Sequence, residues 1–120
     1  PVSGAFHTPY MKDVAPVLRE ALEKLPLQAP RIPVYANRTA ELYPADREGI
    51  TTLLSEQVMN PVRWEDTLRR MAQDGIDTFV EVGAGATLTG FVRRTLPDAT
   101  ALTVNDIPSY EAALKVLLGD

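Results

Sequence analysis

Apolar residues return every three or four positions along most of this chain, broken by short runs in which they stand side by side. Val14, Val17, Leu18, Ala21, Leu22 and Leu25 share one helical face, and Glu20 and Lys24 form an i,i+4 pair on another. Thr8-Pro9 ahead of them has the form of an N-cap followed by proline at the first helical position. Pro16 interrupts the register. The spacing allows one helix kinked at Pro16 but favours a short turn over 9–12, a break, and a main helix starting near Asp13 with Pro16 in its first turn. Pro26, Pro30 and Pro33 end that helix and lead into "IPVYAN" (32–37), which reads as a short apolar strand. Ile50, Leu53, Leu54 and Val58 predict a helix over about 46–58, stopped by Asn60-Pro61. Trp64, Leu68 and Met71 predict another over about 62–74, ending at Gly75 as a left-handed C-cap.

Beyond Gly75 the pattern alternates. "TFVEV" (78–82) reads as a strand, "GAGA" opens a helix carrying Leu88, Phe91, Val92 and Leu96, and "TALTV" (100–104) reads as a third strand. Ser109 then caps a last helix presenting Tyr110, Ala113, Leu114 and Leu117. Apolar strands alternating with helices predict a parallel sheet covered on both faces, an α/β chain in three layers. Three strands leave at least one sheet edge exposed.

The totals narrow the class. A chain of 120 residues suffices for one compact domain, and 45% apolar with 23% charged residues is a globular composition rather than a disordered one. The net charge of −4 argues against nucleic acid or an anionic membrane as main partner. With no cysteine, disulfides, zinc-thiolate sites and a thiol nucleophile are excluded. No apolar run approaches the ~18 residues of a membrane span, and nothing reads as a signal peptide, so a cytoplasmic protein is expected. The chain opens on Pro1 without a methionine, close to its only histidine, and reads as a piece of something longer.

Few positions carry chemistry. Gly83 and Gly85 follow a strand and open a helix, as a dinucleotide fingerprint would, but Leu88 stands where that fingerprint wants a third small residue. The nearest acid that could hold a ribose, Asp106, lies beyond the next strand after a loop. A tight strand-to-helix turn accounts for both glycines, although an anion could still approach the free N–H groups at that helix start. One histidine and no cysteine make a metal site improbable on ligand count, so none is expected. Glu65 and Asp66 fit a helix start, where carboxylates favour the macrodipole.

His7 is the candidate base. It precedes Thr8-Pro9 at a loop-to-helix junction, where backbone dipoles disfavour the imidazolium, and Phe6 offers an apolar wall. A histidine base needs a nucleophile and an acceptor for its other nitrogen. Ser3 is too near in sequence, Ser109 looks like a cap, and Ser55 sits in no G-x-S-x-G elbow. The nucleophile is expected outside this chain.

Four blocks carry a family resemblance: "GAFHTPYM", "IPVYAN", "EQVMNPVRWEDTL" and "FVEVGAGATLTGFV". In that order and spacing they resemble the C-terminal part of malonyl-CoA:acyl carrier protein transacylases and the acyltransferase domains of fatty acid and polyketide synthases, over nearly the whole chain. The resemblance implies part of an α/β-hydrolase-like large subdomain with a short, mostly parallel sheet flanked by helices. It implies malonyl-CoA and a phosphopantetheinylated acyl carrier protein as partners, and no cofactor. A serine in a G-H-S-x-G elbow would be acylated by malonyl-CoA and deacylated by the carrier thiol. By match, His7 would be the catalytic histidine, and Gln57 would orient it through a backbone carbonyl, making a Ser-His dyad. Phe6 resembles the malonyl-selecting form of the motif, whereas serine there accompanies methylmalonyl; a bulky ring leaves little room for an α-methyl.

The departures define what the rest of the enzyme would supply. The serine elbow, the glutamine block of the oxyanion hole, the arginine for the malonate carboxylate and the ferredoxin-like insert are not in this sequence and would precede Pro1. "GAGA" stands where "GPG" is more usual. Residues 1–120 alone are therefore expected to be inactive and, with an open sheet edge, marginally stable. Arg63, Arg69, Arg70, Arg93 and Arg94 could contribute to docking an acidic carrier protein, or form a solvated face. Two other readings remain at this stage: a non-catalytic α/β interaction or structural module, and a nucleotide-binding segment built on Gly83 and Gly85.

Overall fold

The computed structural model describes residues 4–119. Contacts divide the chain inside one helix into two units, Pro1–Thr67 and Leu68–Asp120.

The first unit is helical. A 3-10 turn over Pro9–Met11 breaks at Lys12 and Asp13 before helix α1 (Val14–Glu23), as the proline spacing predicts. Pro16 falls in the first turn of α1, where a backbone N–H has no intrahelical acceptor to lose. Thr8 does not cap the turn; its hydroxyl donates backward to the Ala5 carbonyl at 2.6 Å. Helix α2 (Arg47–Glu56) is capped by Asp46, whose carboxylate accepts from the Gly49 amide at 2.7 Å, and it continues as a 3-10 turn over Gln57–Met59. α1 packs against α2, with Arg19 bridging to Glu48 and to Thr52. Its small core includes Ala15, Ala36, Ala40 and Ile50.

The segment 32–37 is not a strand. Tyr35 makes one isolated antiparallel bridge with Leu42, and the chain folds back on itself: Tyr43 N–H donates to Val34, Ala36 N–H to Glu41 and Ala40 N–H to Ala36, all at 2.8–2.9 Å. Pro30 and Pro33 have no N–H to offer a ladder, and Ile32 and Val34 are exposed while Ala36 is buried by the turn that the chain makes around it.

The boundary falls in α3 (Trp64–Gln73). That helix ends in a Schellman closure: Gly75, at φ 94°, donates to Ala72 while Ile76 donates to Met71. Strand β1 (Thr78–Val82), helix α4 (Thr87–Thr95) and strand β2 (Thr100–Val104) follow as a βαβ unit. The two strands are parallel and paired from Thr78↔Thr100 to Val82↔Val104; α4 packs on both, and α5 (Ile107–Leu118) on β2. The architecture is α/β, a short parallel sheet flanked by helices, with two described strands rather than three. Val92 and Ala113 fix α4 and α5 in the core. Ser109 is not the cap of α5. Asp106 is, accepting from the Ser109 amide at 2.8 Å, while the Ser109 hydroxyl accepts from the Asp106 amide at 3.0 Å, a capping box with serine at its third position. Among the described residues no helix is long and apolar enough to cross a membrane.

Candidate active site

His7 stands in the first unit just before the 3-10 turn, at φ 63°, a left-handed conformation that a side-chain-bearing residue adopts at a cost of about 1–2 kcal/mol. Two carbonyls from the turn that extends α2 hold it there. Its backbone N–H donates to Val58 at 2.8 Å, and its Nδ1 lies 3.0 Å from the carbonyl oxygen of Gln57. A carbonyl can only accept, so Nδ1 carries the proton and Nε2 of the neutral ring carries the lone pair. Nε2 has no hydrogen-bond partner among the described residues, and the side chain is half-buried. The imidazole is thus fixed in tautomer and orientation, with its basic nitrogen unoccupied.

Phe6, immediately before it, is 48% exposed. Its ring lies on the backbone of Gly4, where a Cβ would come within 2.8 Å of Cε2. The glycine is what lets the ring approach so closely.

A family model described as acyl transferase domain matches residues 1–115. The chain belongs to this family. A malonyl CoA-acyl carrier protein transacylase of Haemophilus influenzae is 38% identical over 119 residues, covering 98% of this chain and 37% of the relative. The crystal structure of an acyl-carrier-protein-S-malonyltransferase from Bartonella henselae matches at 39% identity and TM-score 0.88, over 98% of this chain and 37% of that one. A malonyl-transacylase in complex with a type II polyketide acyl-carrier protein matches at 33% identity and TM-score 0.91, over 96% of this chain and 37% of that one. The chain spans about 37% of the length of the Haemophilus relative.

The other candidates from the sequence belong each to its own unit. Ser55 is buried and its hydroxyl donates to the Thr52 carbonyl at 3.1 Å; Ser109 is engaged in the capping box; Ser3 lies outside the described residues. Arg63 pairs with Asp66 at 3.0 Å, Arg70 with Asp74 at 3.2 Å, and Arg94 lies over the Phe91 ring at 4.9 Å. Among the described residues no three histidine or acidic side chains converge as metal ligands would.

The glycine turn after β1 opens onto a helix start that the chain partly fills itself. Gly83 and Gly85 have φ of 133° and 86°, which supplies the turn, but the Leu88 and Thr89 amides in the first turn of α4 are already taken. Glu81 reaches across from β1 and accepts from the Leu88 amide at 3.3 Å, the Thr89 amide at 2.7 Å and the Thr89 hydroxyl at 2.7 Å. The protein's own carboxylate occupies two of the amides an incoming phosphate would use, and Asp106 is spent on capping α5. Thr89 and then Leu88 hold the Glu81 carboxyl below the ordinary glutamate range, against an opposing desolvation.

Sequence reasoning passed over Glu81 and Asn60. The signal for the first was a lone acid among the apolar residues of a strand, six residues before the helix start at Thr87. Asn60 was visible only as half of a helix-stopping Asn-Pro pair, although asparagine beyond a helix end also has a side-chain amide to spend on the last carbonyls.

Proposed function

We propose that this chain supplies the general base for transfer of a malonyl group from malonyl-CoA to the phosphopantetheine thiol of acyl carrier protein, in fatty acid or polyketide biosynthesis. His7 Nε2 takes the proton of a serine hydroxyl contributed by residues outside this sequence, and the serine oxygen attacks the thioester carbonyl. Collapse of the tetrahedral intermediate expels CoA thiolate, which leaves with the proton from the imidazolium. The carrier thiol then gives its proton to Nε2, attacks the acyl-serine ester, and the serine oxygen recovers a proton as it departs. Gln57 acts through its main chain, holding Nδ1–H so that Nε2 stays the basic nitrogen. The arrangement is a Ser-His dyad with a backbone carbonyl in the third place. Phe6 limits the space beside the acyl α-carbon and favours malonyl over methylmalonyl.

The observation that carries this reading is the clamped, half-buried His7 with Nε2 unpartnered. Family membership and the relatives' names agree with it. We further propose that residues 1–120 form the C-terminal part of the large subdomain, completed by residues outside this sequence. Val82 at 79%, Ile107 at 74% and Tyr10 at 88% exposure are apolar surface that a self-contained domain would cover.

The test is made in a full transacylase containing this chain. His7→Ala should lower acyl-enzyme formation from malonyl-CoA by about 10²–10⁴-fold. Formation at the original rate in that variant would remove His7 from the chemistry.

A further inference from the structure

We propose that Asn60 is a positioning residue for His7. The carbonyls that hold the histidine, Gln57 and Val58, belong to a 3-10 turn, and turns of that kind are readily remodelled unless something fixes their end. Asn60 fixes it at two points. Its side-chain Nδ2–H donates to the Glu56 carbonyl at 2.7 Å, and its backbone N–H donates to the Gln57 carbonyl at 3.3 Å, the same oxygen that receives His7 Nδ1–H at 3.0 Å. Asn60 itself has left the helical conformation, with φ −122° and ψ 150°, so nothing of the helix beyond it can do this work. Pro61 follows and has no N–H with which to continue.

Glu56 is anchored in turn, its carboxylate paired with Arg38 at 2.5 Å. The last carbonyl of α2 is therefore tied to Asn60 on one side while its side chain is tied to the loop on the other. The direction of the Gln57 carbonyl, and with it the direction of the His7 ring, follows from where Asn60 sits. The side-chain amide of Asn60 is the direct tie to this turn that substitution can delete while leaving the backbone bonds nominally available.

The inference rests on His7 acting as the base. Asn60→Ala and Asn60→Asp are made in a full transacylase containing this chain. The second keeps the size but, as a carboxylate, can no longer donate. Turnover is measured with malonyl-CoA and holo carrier protein, and the His7 ring nitrogens are followed by NMR after ¹⁵N-histidine labelling, the resonance being assigned by its loss in His7→Ala. Both variants should lose kcat on the order of tenfold with KM for malonyl-CoA changed less than about twofold, because the ring is misaimed while the acyl pocket is untouched. The Nδ1 signal should move from its protonated position toward an average of the two tautomers. Wild-type kcat with an unmoved Nδ1 signal in a folded variant overturns the proposal. So does unfolding of both variants at the assay temperature, which would make Asn60 a stability residue only. Undiminished acyl-enzyme formation in His7→Ala is a separate outcome, and it would instead refute the function on which the inference stands.

Discussion

The Nδ1–H of His7 meets the main-chain carbonyl of Gln57 at 3.0 Å, across 50 positions of chain. Because the acceptor is backbone, the identity of the residue at 57 matters far less than the path of the turn. Gln57→Ala should lower acyl-enzyme formation by less than about fivefold, against the far larger loss in His7→Ala. Single-turnover rates with malonyl-CoA give the comparison. A Gln57→Ala loss as large as that of His7→Ala would mean that the side-chain amide, not the carbonyl, does the work.

Phe6 supplies a test of selectivity. Its ring is held on Gly4 and precedes the base directly, so shortening it removes bulk without touching the His7 clamp. Phe6→Ser should raise kcat/KM for methylmalonyl-CoA relative to malonyl-CoA by roughly 10–200-fold, the range that one methyl group commands in a pocket. Competition between the two thioesters measures it. An unchanged ratio would return Phe6 to ordinary packing.

Gly85 separates conformation from space. A Cβ there would meet nothing within 4 Å, yet φ is 86°. Gly85→Ala should therefore destabilise the protein by about 1–2 kcal/mol although no clash is created. Denaturant unfolding of the full protein reads this directly; a neutral effect would show that the turn relaxes to negative φ.

The helices were legible because helical amphipathicity repeats within a few residues, and the break before Val14 followed from Pro16 alone. What failed depended on partners that local pattern does not encode. Ile32 and Val34 look like strand residues, but Pro33 between them withholds the donor a ladder needs, and the backbone closes on Leu42 and Tyr43 instead. Ser109 and Asp106 are both good caps in isolation; only the start of the helix at Ile107 decides between them. The bond from His7 to Gln57 spans 50 positions, and no periodicity could have joined them; the family resemblance did. Nothing in the resemblance pointed to Glu81, whose role rests on its reach from a strand to the helix that follows.

That reach has a pH signature. Thr89, through hydroxyl and amide, and the Leu88 amide hold the Glu81 carboxyl below the ordinary glutamate value, so the folded state binds its proton less readily than the unfolded chain does. A carboxyl depressed in this way contributes its stabilisation above the unfolded-state value and loses it as the pH falls through the folded one. At neutral pH the contribution is complete, and acidification below the usual carboxylate range withdraws it. Glu81→Gln keeps one acceptor oxygen but neither the charge nor the second oxygen, so it should melt below the wild type near neutrality. The gap should narrow as both proteins are taken from about pH 7 toward about pH 3, because the unfolded chain then takes up a proton that folded Glu81 resists. Calorimetric melts of the two full proteins across that interval make the measurement. A gap that stays constant on acidification would show that Glu81 braces α4 by shape alone, without its charge.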